Sequence, residues 1–276
     1  MVRRIALPVI AAFAGLFATG ALASDLDIIN APEIDVSQAT LARGWYIRGD
    51  LGYSGWGSTD SPDYTAERAG GGTFSQPFDS ARFSKPVSYG VGVGYQFSDF
   101  SRADLTTDFF SGDMSGNSAL GGGCGAGAPG GTNCRFDYKG DYSAVNVMAN
   151  GYVDLGTVAG ITPYVGIGAG ATYVKWSDTS VLPVCLDGAG SCAGASNGAI
   201  GLQGEDSWRF TYALMAGASV DLTERVKLDF GYRFSETAGG KAFSGRGLGT
   251  SIDAVNGRDD GFQKHEIRAG IRVTTW

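Results

Sequence analysis

WRFTYALMAGASVD, residues 208–221, decides how this chain folds. Trp208, Phe210, Tyr212, Leu214, Ala216, Ala218 and Val220 fall on one parity, and Arg209, Thr211, Ser219 and Asp221 on the other. Side chains alternate faces along a strand, so the stretch predicts one apolar face and one polar face. The pattern recurs on both sides of it. Trp45, Ile47, Leu51 and Tyr53 oppose Tyr46, Arg48 and Asp50. Val87, Tyr89, Val91, Val93, Tyr95 and Phe97 alternate with Ser88, Gly90, Gly92, Gly94 and Gln96. Ala103, Leu105, Thr107 and Phe109 oppose Arg102, Asp104, Thr106 and Asp108. Val145, Val147, Ala149 and Val153 form a fourth row, and Val165, Ile167, Ala169, Ala171 and Tyr173 a fifth. Val226, Leu228, Phe230, Tyr232 and Phe234 oppose Lys227, Asp229 and Arg233, and Ile267, Ala269, Ile271 and Val273 oppose Glu266, Arg268 and Arg272. These are eight strands of about 9–13 residues, a length that crosses a bilayer when tilted.

A soluble exported β-sandwich would also alternate. Two features favour a transmembrane barrel. Charges of both signs share the face opposite a continuous apolar row, often near mid-strand. They are Arg48, Asp50, Arg102, Asp104, Asp108, Arg209, Lys227, Asp229, Arg233, Glu266, Arg268 and Arg272, and they predict a paired network inside a lumen. A one-residue slip of the last strand would turn Arg268 and Arg272 to lipid at about 2–4 kcal/mol each. Connection lengths also alternate. Short turns fall at Ser98-Asp99, residues 156–160 and Thr223-Glu224, and long stretches join the other pairs. Short turns at one end and long loops at the other is the outer-membrane arrangement, with both termini on the periplasmic side. Trp45, Tyr53, Tyr95, Phe97, Phe109, Tyr173, Trp208 and Phe234 lie near strand ends on the apolar parity and predict aromatic girdles. Lys175 shares that parity at a loop end, where its stem can snorkel.

Composition agrees. Glycine supplies 45 of 276 residues, charged residues 18% and aromatics 12%. Disordered chains are rich in charge and poor in aromatics, and collagen needs a strict three-residue glycine period. A mainly helical chain is disfavoured by glycine at about 1 kcal/mol per interior position. Strand glycines alternate with apolar residues, so they face the lumen and leave room for large charged neighbours. GVGVGY (90–95) and GIGAGA (166–171) lie inside strands and open no helix, so they are not phosphate-binding loops.

At the N-terminus, Arg3 and Arg4 precede an apolar run over residues 5–22 that closes on Ala21-Leu22-Ala23, an A-x-A cleavage pattern. Residues 1–23 read as a cleaved secretory signal peptide, residues 24–43 as an acidic periplasmic extension, and residues 44–276 as the barrel. Cleavage takes the formal charge from −7 to −9, which leaves no electrostatic footprint for nucleic acid. Export places the chain in an oxidising compartment. Cys124 and Cys134 fall in the second long loop, and Cys185 and Cys192 in the third, which predicts two intra-loop disulfides. Each ring would contribute about 2–3 kcal/mol on the chain-entropy model. Four cysteines allow three connectivities, so pairing between loops stays open. Zinc spacing is absent: there is no C-x-x-C, and the sole histidine, His265, lies elsewhere. No cofactor or metal is expected. Asp60, Asp63, Glu67 and the Asp259-Asp260 pair read as solvated loop acids without calcium-loop spacing. His265, at the loop end of the last strand, reads as a polar interface anchor. Only its position keeps open an enzyme acting on outer-membrane lipid.

GWYIRGDLGY, MANGYVDLG, ITPYVGIGAGATY, VKLDFGYRF and HEIRAGIRV resemble the eight-stranded outer-membrane β-barrel surface proteins of Gram-negative bacteria, the opacity-like and OmpA-like barrels. The resemblance covers residues 44–276 and implies a small monomer with a filled interior, exposed loops and no shared catalytic residues. Such barrels usually end on an aromatic in phase with the lipid-facing row. Here Ile271 and Val273 put Thr275 in phase, one residue short of Trp276.

The expected function is therefore structural and interactive: envelope integrity, with loops for adhesion or recognition. The expected partners are outer-membrane lipid and lipopolysaccharide, the barrel-assembly machinery, and an extracellular ligand or host surface. The alternative is a narrow, porin-like channel or small-ligand carrier.

Overall fold

The computed structural model describes residues 43–58, 62–68, 70–120, 134–185, 200–246 and 252–275. The expected signal peptide, residues 1–23, and residues 24–42 lie outside the described residues, as do Asp60, Cys124, Cys192 and Trp276.

Eight long antiparallel strands pair in a closed ring. They are β1 (Gly44–Ser58), β5 (Val87–Ser98), β6 (Ser101–Leu120), β7 (Cys134–Asp154), β8 (Ile161–Trp176), β11 (Asp206–Asp221), β12 (Val226–Arg246) and β13 (Ile252–Thr274). Each pairs with the next, and β13 returns to β1. Closure leaves none of these strands with an unpaired edge. Short turns join β5 to β6, β7 to β8 and β11 to β12, as the connection lengths predicted. At that end Thr275 N–H donates to the Trp45 carbonyl at 3.1 Å, so the first and last strands meet there.

The two parities separate as expected within the lipid-facing belt. Ile167, Trp208 and Val91 point outward at 67%, 64% and 61% exposure, whereas Tyr46 and Met148 point inward at 0%. All eight girdle aromatics lie on the outward row. Trp45 packs edge-on against Tyr95 and Tyr95 edge-on against Phe97, while Tyr173 and Trp208 meet at a tilt of 45°, with ring centroids 5.2–5.3 Å apart.

The strands run further than the expected 9–13 residues: β6 has 20, β7 and β12 have 21 each, and β13 has 23. Their continuations rise above the belt on the long-loop side. There both faces change character. The outward row turns from Phe109 to Ser111 and Asp113, from Val145 to Ser143 and Asp141, and from Tyr173 to Lys175. The inward row turns apolar, with Met114, Tyr138, Tyr142, Val174, Trp176 and Phe243 buried in one cluster. Above lipid the sheet meets water, so it adopts the apolar-in, polar-out pattern of a soluble protein.

The long connections are also more structured than loops. The first folds into β2 (Asp63–Arg68), β3 (Thr73–Pro77) and β4 (Ser80–Phe83), and the third contains β9 (Thr179–Cys185) and β10 (Ile200–Gly204). β2 extends the sheet from β13, and β9 pairs with the upper part of β7. From the first connection Phe78 and Phe83 reach inward. Phe78 meets Tyr138 at 4.6 Å and Phe83 meets Phe262 at 5.6 Å, closing an aromatic chamber above the belt.

Candidate functional site: the charged lumen and the chamber above it

At membrane depth charged side chains project into the lumen in layers. Nearest the short turns, Arg102 lies 3.2 Å from Asp154 and Arg272 lies 3.2 Å from Asp229. The Arg102 guanidinium is held between the Tyr152 and Tyr164 rings at 4.0 and 4.7 Å. Stacking a planar, weakly hydrated cation on aromatic faces lets an arginine be buried at lower desolvation cost. In the next layer Arg48 bridges Asp50 and Asp104, each at 2.7 Å. Above it Asp108, with no exposed surface, accepts from Arg233 and Arg268, both at 2.7 Å. Glu266 completes that layer at 3.1 Å from Arg233 and 3.4 Å from Arg268.

The strand glycines make this filling possible. A Cβ on Gly90 would collide with the Asp108 carboxylate and come within 2.9 Å of Arg268. One on Gly94 would enter the Tyr46 ring. A ring of small polar groups caps the charged layers: Thr172 donates to Asn146 at 3.2 Å and shares a 2.6 Å contact with Thr211, which meets Thr237 at 3.0 Å.

The twelve expected network residues divide into three groups. Ten form the layers just described. Arg209 instead pairs at 2.5 Å with Asp259, in the extension above the belt. Lys227 pairs with Asp221 at 2.6 Å on the short-turn side, half-open to solvent. Sequence reasoning missed Asp154, Lys264 and Asp259. The first two carry the parity signal, Asp154 with Tyr152 and Lys264 with Glu266, but Asp154 ends β7 and Lys264 precedes the apolar row read for the last strand. Asp259 corrects the solvated-loop reading. NGRDDG lies inside β13, and Asp259 is 3% exposed because Arg209 supplies its counter-charge. Asp63 and Glu67 lie on β2. Among the described residues no group of three or more His, Cys, Asp or Glu is placed to hold a metal.

His265 faces outward in the upper girdle. Its Nδ1 meets the Tyr232 hydroxyl, and its ring lies 5.1 Å from Phe234. The backbone register of β7 and β9 places Cys134 opposite Cys185. In the chamber, outside the membrane-spanning segments, burial pushes the Tyr64 and Tyr138 phenols above the ordinary tyrosine range. Burial, with the Asp113 carboxylate nearby, pushes Tyr142 up to about 12.

A closed antiparallel ring with an apolar outer belt, aromatic girdles and a charge-paired interior defines an integral outer-membrane β-barrel. The chain belongs to the outer membrane protein beta-barrel domain family, whose model matches residues 9–272, and it resides in the cell outer membrane. It is similar to an uncharacterised protein of Brucella abortus strain 2308, at 35% identity over 92% of each chain. It is also similar to a protein of Rickettsia massiliae provisionally named an adhesin, at 27% identity over 77% of this chain and 88% of that one. Among solved structures, the outer membrane protein OprG from Pseudomonas aeruginosa aligns with a TM-score of 0.47 and 14% identity, over 85% of this chain and 98% of that chain.

Proposed function

We propose that this protein is a surface-display barrel whose extracellular β-structure serves adhesion or recognition, on a scaffold that also contributes to envelope integrity. The observation that carries this reading is the continuation of the strands above the belt. β6, β7, β12 and β13 stand out of the membrane around their own aromatic core, with polar residues facing water. A chain that only needed to span lipid would end its strands at the girdle. The Rickettsia relative's name supports the same reading. The lumen layers favour a plug over a pore, since eight strands leave an interior just wide enough for side chains. Lipid and lipopolysaccharide at the belt, and the assembly machinery at the last strand, are the partners this reading requires.

Whole-cell binding tests it. Cells displaying the wild type should bind host surfaces or envelope components more strongly than cells displaying a barrel trimmed of residues 59–86 and 178–204. Equal binding by both would overturn the reading. Large, stable conductance in planar bilayers would overturn the plugged lumen separately.

A further inference from the structure

Between the charged layers and the aromatic core lies a cavity that the filled lumen does not explain. Its volume is about 80 Å³, several times what one water needs, and it opens at a mouth. Phe83, Phe110, Tyr142 and Phe262 supply its aromatic walls. Tyr142 and Phe262 stack at 5.6 Å with their planes 24° apart, presenting flat apolar surface.

The polar lining is one-sided. It contains Lys85 and Lys264 and no acid. Lys264 is 9% exposed, and its ammonium sits 4.0 Å over the Phe110 ring. Among the described residues its ion-pair partner is Glu266, at 3.3 Å. The Glu266 oxygen facing it already accepts from Ser88, and the other is taken by Arg233 and Arg268. Beyond that ion pair Lys264 Nζ makes no hydrogen bond among the described residues, and the Ser54 hydroxyl, buried to 1% in the same lining, makes none. Arg233, Lys264 and Arg268 face Asp108 and Glu266, and Asp50, shared with Arg48 below, supplies a third acid 3.7 Å from Arg268. Two buried donors with unused hydrogen-bonding capacity, a lining that carries cations and no acid, and aromatic walls together describe a receptor for a small molecule with an anionic head and an apolar body.

We propose that this cavity binds a small amphipathic monocarboxylate, with its carboxylate on Lys264 and Ser54 and its apolar body against Phe110, Tyr142 and Phe262. A carboxylate suits the site because it supplies acceptors to both donors in a lining that holds two lysines and no acid. The aromatic walls discriminate against inorganic anions. This site is independent of the surface-recognition reading and survives its failure.

The test is calorimetric titration of the full-length mature barrel in nanodiscs with benzoate, phenylacetate and octanoate. Benzyl alcohol and benzylammonium serve as neutral and cationic counterparts. Saturable binding of the carboxylates is expected, about tenfold or more tighter than the neutral counterpart, the range of one charge-assisted hydrogen bond. Lys264→Met should abolish that preference, Lys264→Arg should retain it, and Phe262→Ala should weaken carboxylate and alcohol together. Heat-modifiable gel migration checks that each variant is folded. If Lys264→Met does not fold, the wild-type ratio of carboxylate to alcohol and the Lys264→Arg result decide. No saturable carboxylate binding, equal binding of alcohol or ammonium, or an unchanged preference in folded Lys264→Met would each overturn the proposal.

Discussion

Asp108→Asn is expected to destabilise the barrel by about 3–5 kcal/mol, the range for removing one partner of a buried ion pair. Asparagine keeps the volume, so no cavity opens and the change is electrostatic. Asp108 is fully buried and receives both Arg233 and Arg268 at 2.7 Å. Without its charge, Arg233 and Lys264 are left with Glu266, and Arg268 with Glu266 and the more distant Asp50 at 3.7 Å. Their side chains are at most 11% exposed, so water cannot replace the lost partner. The same fold contains a control. Arg135 and Asp137 pair at 2.8 Å with side chains 41% and 31% exposed. An exposed pair contributes about 0–1 kcal/mol, so Asp137→Asn should be nearly silent. Guanidinium titration of the barrel in lipid vesicles, followed by tryptophan fluorescence, reads both variants against wild type. Adding Arg233→Met to Asp108→Asn should recover part of the loss, because it removes one orphaned cation. A shift for Asp108→Asn no larger than that for Asp137→Asn would refute the claim that buried charge pairing holds the lumen together.

Three further outcomes are expected. Leu214→Arg, at the centre of the outward row of β11 and 53% exposed, should cost about 2–4 kcal/mol in the same titration, whereas Ser111→Arg above the belt should fall within about 0.5 kcal/mol of wild type; equal effects would misplace the belt. At alkaline pH the folded chamber keeps its phenol protons while the unfolded chain loses them from about pH 10, so the folded state binds more protons and stability must fall as pH rises from there through about 12, the Tyr142 value. Phenolate absorbance that titrates wholly at the ordinary tyrosine range in folded protein would contradict the buried chamber. Peptide mapping without reduction should recover Cys134 joined to Cys185, because directly opposed residues in antiparallel strands lie about 4.5–5.5 Å apart at Cα, within disulfide reach. Recovery of the two intra-loop pairs would show that the register at the top of β7 and β9 does not govern cysteine pairing.

Much of the membrane-spanning part was legible because lipid imposes a simple rule. An outward side chain in hydrocarbon must be apolar, so Leu105, Ile167 and Leu214 mark their strands by themselves, and Arg102, Asp108 and Arg233 mark the inward face. Above the girdle the rule inverts. Ser111 and Asp113 face outward while Met114 faces inward, and a search for an outward apolar row stops at Phe109. The strand extensions therefore looked like loops. Turn-forming residues added to this, since NGRDDG has the composition of a turn yet pairs through β13. A register shift between Lys241 and Phe243 also breaks the parity that would have marked Phe243 as inward. The inward reach of Phe78 and Phe83 has no local signature, because it is set by the space that β6, β7 and β13 leave between them.

The strands that stand clear of the membrane change what an approaching surface meets. Hydrogen-bonded sheet offers a relief fixed before contact, so little ordering remains to oppose association. Its outward residues are assembled from segments far apart in the chain: Lys139 on β7 lies opposite Ser180 on β9, and Glu67 on β2 lies opposite Ala254 on β13. Antibodies or ligands selected on the native surface of these strands would read composite epitopes that no single peptide reproduces, and boiling would erase them together with the barrel.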